Sequence, residues 1–192
     1  MQTPFRARWI ALLLTMVLLA ACASTHSPST AASPQASDRA GTVPASGDIP
    51  DNVVWLTYTG SGFSIRYPEG WVRSTTANMA TFSDKDSHIS VAINGGPAPT
   101  KQSVTSEIAA IAGASVTAPA QMASLPVGSA IFVTYTVDGS IDPVTGKRPR
   151  LTVERFEIAA SGRLAVLELA AQVGVDNADA YLAIAKSFTW VR

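Results

Sequence analysis

The chain has 192 residues, 47% of them hydrophobic and 15% charged, with 14 basic residues against 14 acidic ones. That is enough apolar material for one domain core and too little charge for a disordered chain, and the balance leaves no positive field to attract nucleic acid. The single cysteine excludes an intrachain disulfide and any zinc site built from several thiolates, and the only histidines are His26 and His88.

The first residues, MQTPFRARW, carry Arg6 and Arg8 and no acid, and they lead into the aliphatic run Ile10 to Leu19. A charged start followed by a short apolar run is the layout of a secretory signal peptide, and about ten apolar residues fall short of the roughly 20 that span a bilayer. Leu19-Ala20-Ala21-Cys22 then places two small residues and the only cysteine at the end of that run. This stretch resembles the lipobox of bacterial lipoproteins. The resemblance implies cleavage between Ala21 and Cys22 and lipid on the Cys22 sulfur, whereas an ordinary secretory peptide would leave a free thiol there. One acyl chain binds a membrane reversibly, and two or three hold it firmly. The expected product is anchored to a membrane by lipid on Cys22, on the cell membrane or outer membrane, facing the periplasm or the cell exterior. Removing residues 1–21 takes away two basic residues and no acid, so the mature chain carries a formal charge of −2.

From Ala23 to Pro50 the composition is dominated by Ser, Thr, Ala, Pro and Gly, with no aromatic residue. Such a segment cannot bury enough apolar surface to offset its chain entropy. Residues 22–50 therefore read as the lipidated cysteine and a disordered tether, whose root-mean-square span as a flexible coil is roughly 30 Å. His26 lies in this tether without neighbouring ligand residues. Residues 51–192 show no repeat and fit one compact domain.

In the body, Phe63, Ile65 and Tyr67 share one face opposite Ser64 and Arg66, and the strand ends at the turn Pro68-Glu69-Gly70. Met79 to Phe82 and Ile89, Val91 and Ile93 predict two further strands around Ser83 to Ser87. Lys101 to Gly113 predicts a helix with Val104, Ile108 and Ile111 on its apolar stripe. Ile131, Val133, Tyr135 and Val137 predict a strand after Pro126 to Gly128, followed by a turn at Asp142 to Lys147 and paired strands over Leu151 to Ile158 and Leu164 to Ala170. Tyr181, Leu182, Ala185 and Phe188 predict a final helix. LAVLELA, Leu164 to Ala170, is apolar on both sides except for Glu168 and reads as a central strand covered on both faces. The short turns imply antiparallel neighbours, and the fold class is α+β, an antiparallel β-sheet sandwiched by helices.

GFSIRYPEGW, Gly62 to Trp71, followed by TFSD and HISVAI, resembles the photosystem II extrinsic protein family PsbP and the wider PsbP/Mog1-like fold group. DPVTGKRPR, GRLAVLELAA and the late stretch from Asp176 to Trp190 are similar to that family's late hairpin, central strand and final helix. The resemblance implies an antiparallel sheet between helices that serves as an accessory or binding module, with Phe63, Trp71 and Trp190 buried. Its motifs are structural and transfer no site residue.

Chemistry is sparse. Gly60-Ser61-Gly62 lacks the spacing of a nucleophile elbow, Gly146-Lys147 lacks the upstream glycine of a P-loop, and Gly60-x-Gly62 precedes a strand where a dinucleotide fingerprint opens a helix. His88, at the end of the Ser83 to Ser87 turn, reads as a solvated polar residue in preference to a general base. Asp84, Asp86 and His88 lack the glycine and the closing glutamate of a calcium loop, so no metal and no cofactor is expected. Lys147, Arg148 and Arg150 concentrate positive charge in one loop that is a candidate partner-binding surface. Glu168 is a candidate buried polar residue, costly to bury unless Arg155 or Arg66 reaches it; the alternative role is the polar base of a ligand pocket. The reading is a lipid-anchored, non-enzymatic accessory protein of the cell envelope that binds another protein. A binder of a small apolar ligand or lipid is the alternative, and a serine hydrolase ranks third.

Overall fold

The computed structural model describes residues 47–191. Its strands are β1 (Trp55–Gly60), β2 (Phe63–Pro68), β3 (Val72–Thr75), β4 (Met79–Asp84), β5 (Ser87–Gly95), β6 (Ser115–Leu125), β7 (Gly128–Asp138), β8 (Arg150–Ala160), β9 (Arg163–Gln172) and β10 (Thr189–Trp190). Two helices, α1 (Lys101–Ala109) and α2 (Ala178–Ser187), interrupt them. A seven-stranded sheet runs β3-β4-β5-β9-β8-β7-β6 and a three-stranded sheet runs β1-β2-β10. Every pairing is antiparallel. This is the α+β architecture that the alternation implies, with β9 at the centre of the large sheet.

Parity along the strands divides the large sheet into two unlike faces. One carries Phe82, Ile89, Val91, Phe156, Ile158, Leu167 and Leu169, which pack with Phe63 and Ile65 of the small sheet and with Tyr181, Ile184 and Phe188 at the C-terminal end. Aromatic rings tie this layer together: Tyr67 stacks on Phe82 at 4.2 Å, and Phe63 on Phe188 at 5.8 Å. The opposite face packs Ile131, Val133, Tyr135 and Val153 against Val104 and Ile108 of α1. That helix begins where Thr100 and Ser103 form a reciprocal capping box, each side chain accepting the other's backbone N–H at 3.0 Å. Beyond its end Gly113 takes a φ of +76°, the left-handed conformation that turns the chain into β6.

Several expectations need correction. The folded body starts before residue 51: Ile49 is buried, its N–H donates to Asn177 Oδ1 at 2.8 Å, and the Gly47 carbonyl accepts from Asn177 and Ser87. The last residues assigned to the tether therefore pack on the domain, because Ile49 supplies an aliphatic side chain that the core can cover. The rest of the tether and the signal peptide lie outside the described residues. In α2 the buried stripe is Tyr181, Ile184 and Ala185, continued by Phe188, and Leu182 points outward at 42% exposure. Counting 3.6 residues per turn from Tyr181 selects positions 184, 185 and 188. Phe63 is fully buried, whereas Trp71 and Trp190 are half-buried. The strand β9 is covered completely on its Leu167 face only. On the other face Leu164, Val166 and Glu168 stay half-buried, because α1 packs on β6 and β7.

The apolar layer gives a direct stability prediction. Phe82 is fully buried between two tyrosine rings, so Phe82→Ala loses ring contacts and leaves a cavity. It should cost about 3–5 kcal/mol, read from the urea unfolding midpoint at unchanged slope.

Candidate functional site

The register of the central strands brings charges together on the α1 face. Arg155 on β8 lies directly opposite Glu168 on β9, and Ser90 of β5 flanks Glu168 on the other side. Glu157, two residues along β8, shares this face with Leu151 and Val153. Tyr135 of β7 and Glu107 of α1 complete the group.

Arg155 is the hub. Its Nε donates to Glu157 Oε1 at 2.8 Å, its Nη1 to Glu168 Oε1 at 3.2 Å, and its Nη2 contacts both Glu157 Oε1, at 2.6 Å, and Glu107 Oε2. The Tyr135 hydroxyl donates to Glu168 Oε1 at 2.9 Å. Three carboxylates thus converge on one guanidinium, whose five N–H donors suit such branching. Access to water differs sharply among them: the side chains of Glu107, Glu168 and Glu157 are 45%, 25% and 0% exposed.

Burial sets the proton affinity of the most enclosed of these carboxylates. Burial pushes the Glu157 carboxyl above its ordinary range; Arg155 opposes the shift, and the Glu107 charge reinforces it. Glu157 Oε2 is buried with no hydrogen-bond partner among the described residues. Burial and the neighbouring Glu168 charge push the Tyr135 hydroxyl far above the ordinary tyrosine value, so it serves as a donor.

Glu168 therefore meets Arg155, one of the two partners that the sequence offered. Arg66, the other, lies on an exposed strand face with its guanidinium 5.4 Å from the Trp55 ring centre. Glu157 and Glu107 escaped the sequence reading, and Tyr135 entered it only as a strand residue, although the signal was present. Leu151, Val153, Arg155 and Glu157 alternate onto one face, and Val104, Glu107, Ile108 and Ile111 fall on one helical stripe.

The candidate basic loop separates into unlike parts. Arg150, the first residue of β8, is committed to structure: its Nη1 binds Asp138 and the Gly113 carbonyl, each at 2.9 Å, and its Nη2 binds Thr136 Oγ1 at 2.8 Å. Arg148 donates to the Gly139 carbonyl at 3.0 Å, and Lys147 is exposed. The turn itself is held by Asp142, whose Oδ1 accepts from the N–H groups of Val144 and Thr145; those bonds hold its carboxyl below the usual range.

His88 is half-buried where a solvated residue was expected. It lines a cleft of about 400 Å³ with Lys85, Asp86, Arg148 and Pro149. Burial lowers its pKa, while Glu168 and a hydrogen bond to the Asp86 backbone oppose the shift. The Asp86 carboxylate accepts from Gln172 at 2.5 Å. Among the described residues no three of His, Cys, Asp and Glu gather to hold a metal ion. Ala21 and Cys22 lie outside the described residues.

No protein-family model and no curated protein matches the sequence. Solved structures do match. The chain is similar in fold to cyanobacterial PsbP (CyanoP) from Synechocystis sp. PCC 6803, with 17% identity, a TM-score of 0.49, and coverage of 76% of this chain and 98% of that one. It is also similar to the Ran-binding protein Mog1p of Saccharomyces cerevisiae, with 10% identity, a TM-score of 0.49, and coverage of 73% and 96%. A protein from Bacteroides thetaiotaomicron VPI-5482 matches with 12% identity and a TM-score of 0.42 over 72% of this chain and 48% of that one.

Two measurements probe the charged site. Arg155→Ala strips a buried carboxyl of its partner and should cost about 3–5 kcal/mol, whereas Arg150→Ala, which opens a half-exposed pair and hydrogen bonds that water can replace, should cost about 1–2 kcal/mol; paired denaturation curves decide it. For His88 the folded state binds fewer protons than the unfolded one. Its contribution is complete above pH 6.5, the ordinary value, and is lost as pH falls through the lowered one. His88→Asn should flatten that part of the stability profile in a series of unfolding curves on the acid side of neutrality.

Proposed function

We propose that this chain is a lipid-anchored accessory module of the cell envelope, held by acyl chains on Cys22 and acting by binding another protein, without chemistry of its own. The anchor rests on Leu19-Ala20-Ala21-Cys22 behind a charged start and an apolar run. Among the described residues no helix is long and apolar enough to cross a membrane.

The observation that carries the partner reading is the filled interior. Phe63, Ile65, Phe82, Ile89, Leu167 and Phe188 close the sandwich with no exposure at all. A small apolar ligand requires a concave, mostly apolar site that encloses most of its surface. The clefts at Lys85, Asp86 and Arg148 and at Asp51, Asp176 and Asp179 instead carry charged groups, and the apolar one beside Pro99, Met122 and Ile131 holds only about 280 Å³. Nor do the polar side chains support a hydrolase. His88 bonds a backbone group, and the carboxylates around Arg155 are spent on that guanidinium. Both orientations of the anchor, toward the periplasm or toward the cell exterior, are compatible with this reading.

The test begins with the anchor. Intact-mass analysis of the membrane-extracted chain should show a terminus at Cys22 carrying acyl mass, and Cys22→Ser should leave an unacylated precursor. An unmodified thiol at a mature Cys22 would refute the anchor. Crosslinking on intact membranes should then give discrete adducts with a second polypeptide. A stoichiometric lipid that stays bound to the Cys22→Ser chain in native mass spectrometry would favour the apolar-ligand reading instead.

A further inference from the structure

We propose that the Arg155 cluster is a proton-operated latch for α1: with a proton on Glu157 the guanidinium holds Glu107 and seats the helix, and loss of that proton lets Glu107 go. The charge count makes the case. Glu107, Glu157 and Glu168 face a single cation, so full ionisation leaves a net charge of −2 around a side chain with no exposure. An ionised carboxylate in such a place needs every acceptor lone pair met, yet Glu157 Oε2 has no hydrogen-bond partner among the described residues. A neutral carboxylic acid leaves one unpaired O–H there in place of an unpaired charge, and costs far less. Its carbonyl oxygen accepts from Arg155 Nε, and the proton rides on the other oxygen.

Which contact yields when that proton dissociates to solvent follows from exposure. Glu157 cannot leave: it is fully buried 2.6 to 2.8 Å from Arg155, and ionised it attracts the guanidinium more strongly. Glu107 can leave, since it is 45% exposed and stands on a helix. Its place on that helix is otherwise unfavourable. It lies in the last turn of α1, where the macrodipole disfavours an anion, and no basic residue stands in that turn to offset it. Arg155 is the interaction that justifies a carboxylate there. Val104 and Ile108 keep α1 on the sheet, so release frees the Glu107 side of the last turn and leaves the helix in place.

The charged and titratable groups around Glu157 come from every packed element: Glu107 on α1, Tyr135 on β7, Arg155 on β8, Glu168 on β9 and, beyond Glu168, His88 on β5. Tyr135 stays protonated throughout, and His88 loses its proton below its ordinary value. Glu154, also raised by burial, faces the opposite side of the sheet. The folded state therefore binds more protons at Glu157 than the unfolded state from about pH 4.5 upward. The contribution of the protonated acid is complete below that value and is lost as pH rises through the elevated one.

Two readouts on the full chain test the latch. The Glu157 side-chain carbon, followed by carbon NMR, should keep the shift of a neutral acid at pH 4.5 and titrate only above that ordinary value. Amide exchange at Glu107 to Ala110, corrected for intrinsic rates, should lose about tenfold or more protection across the same titration, the factor that one pKa unit of coupling represents. Glu157→Gln should hold that protection high and independent of pH. Glu107→Gln, which leaves the buried acid intact, should also abolish the pH dependence and serves if Glu157→Gln fails to fold. A Glu157 carbon shift that is already ionised at pH 4.5, or α1 protection that falls with pH equally in both variants, overturns the proposal.

Discussion

A guanidinium keeps its charge at any physiological pH, so placing Arg155 in the middle of a seven-stranded sheet obliges the surrounding structure to supply acceptors. They come from three directions: Glu157 two residues along the same strand, Glu168 straight across the β8–β9 ladder, and Glu107 from the helix above. The ladder cannot change register without losing the cross-strand member of this set, and α1 cannot slide without losing the helical one. Arg155 thus specifies how the helical layer sits on the sheet, a role that aliphatic contacts at Val104 and Ile108 fill less selectively, because burial is non-directional.

The same constraint explains why the two faces of the sheet differ so much. With a side-chain period of two, a slip of one residue in β8 would carry Arg155 and Glu157 away from Glu168 and Glu107 and into the apolar layer of Phe82, Phe156 and Leu167. The aromatic face therefore holds the small sheet and α2 by dense apolar contact. The polar face accepts one short helix at the β6–β7 side and leaves the β9 side half-covered. Glu168, at 25% exposure, marks that border.

How much of this was legible in the sequence depends on how local the determining signal is. Phe63, Ile65 and Tyr67, or Ile131, Val133 and Tyr135, alternate cleanly because each strand has one buried face, and both appear as strands. The strand β6 did not, since SVTAPAQMASL contains Pro119 and little bulk. It is an edge strand whose register shifts between Val116 and Gln121 accommodate a residue with no N–H to donate. β1 and β3 are short and largely exposed, with no apolar period to read, and β10 is only two residues long. Ile49 escaped because one aliphatic residue in a Ser, Pro and Gly stretch carries no pattern; only the distant Asn177 shows what holds it. Glu168 stood out as one acid in an apolar run. Its partner could be named, but not the convergence of Glu107, 48 residues from Arg155 in sequence, because helix-to-sheet docking is a property of the assembled layers.

Stability alone is a poor reason for such a cluster. Desolvating four ionisable side chains costs free energy that their attraction only partly offsets, and apolar residues of similar volume often serve a core as well or better. Val133, across the β7–β8 ladder from Arg155, and Val153, two residues along β8, show that this face accepts aliphatics. What aliphatic residues lack is direction and a response to protons. A helix seated on Val104 and Ile108 alone would be free to roll about its axis, whereas one that must also present Glu107 to Arg155 has a single rotation. The charged cluster thereby converts a greasy contact into a defined one, and the fully buried member, Glu157, makes that definition conditional on pH.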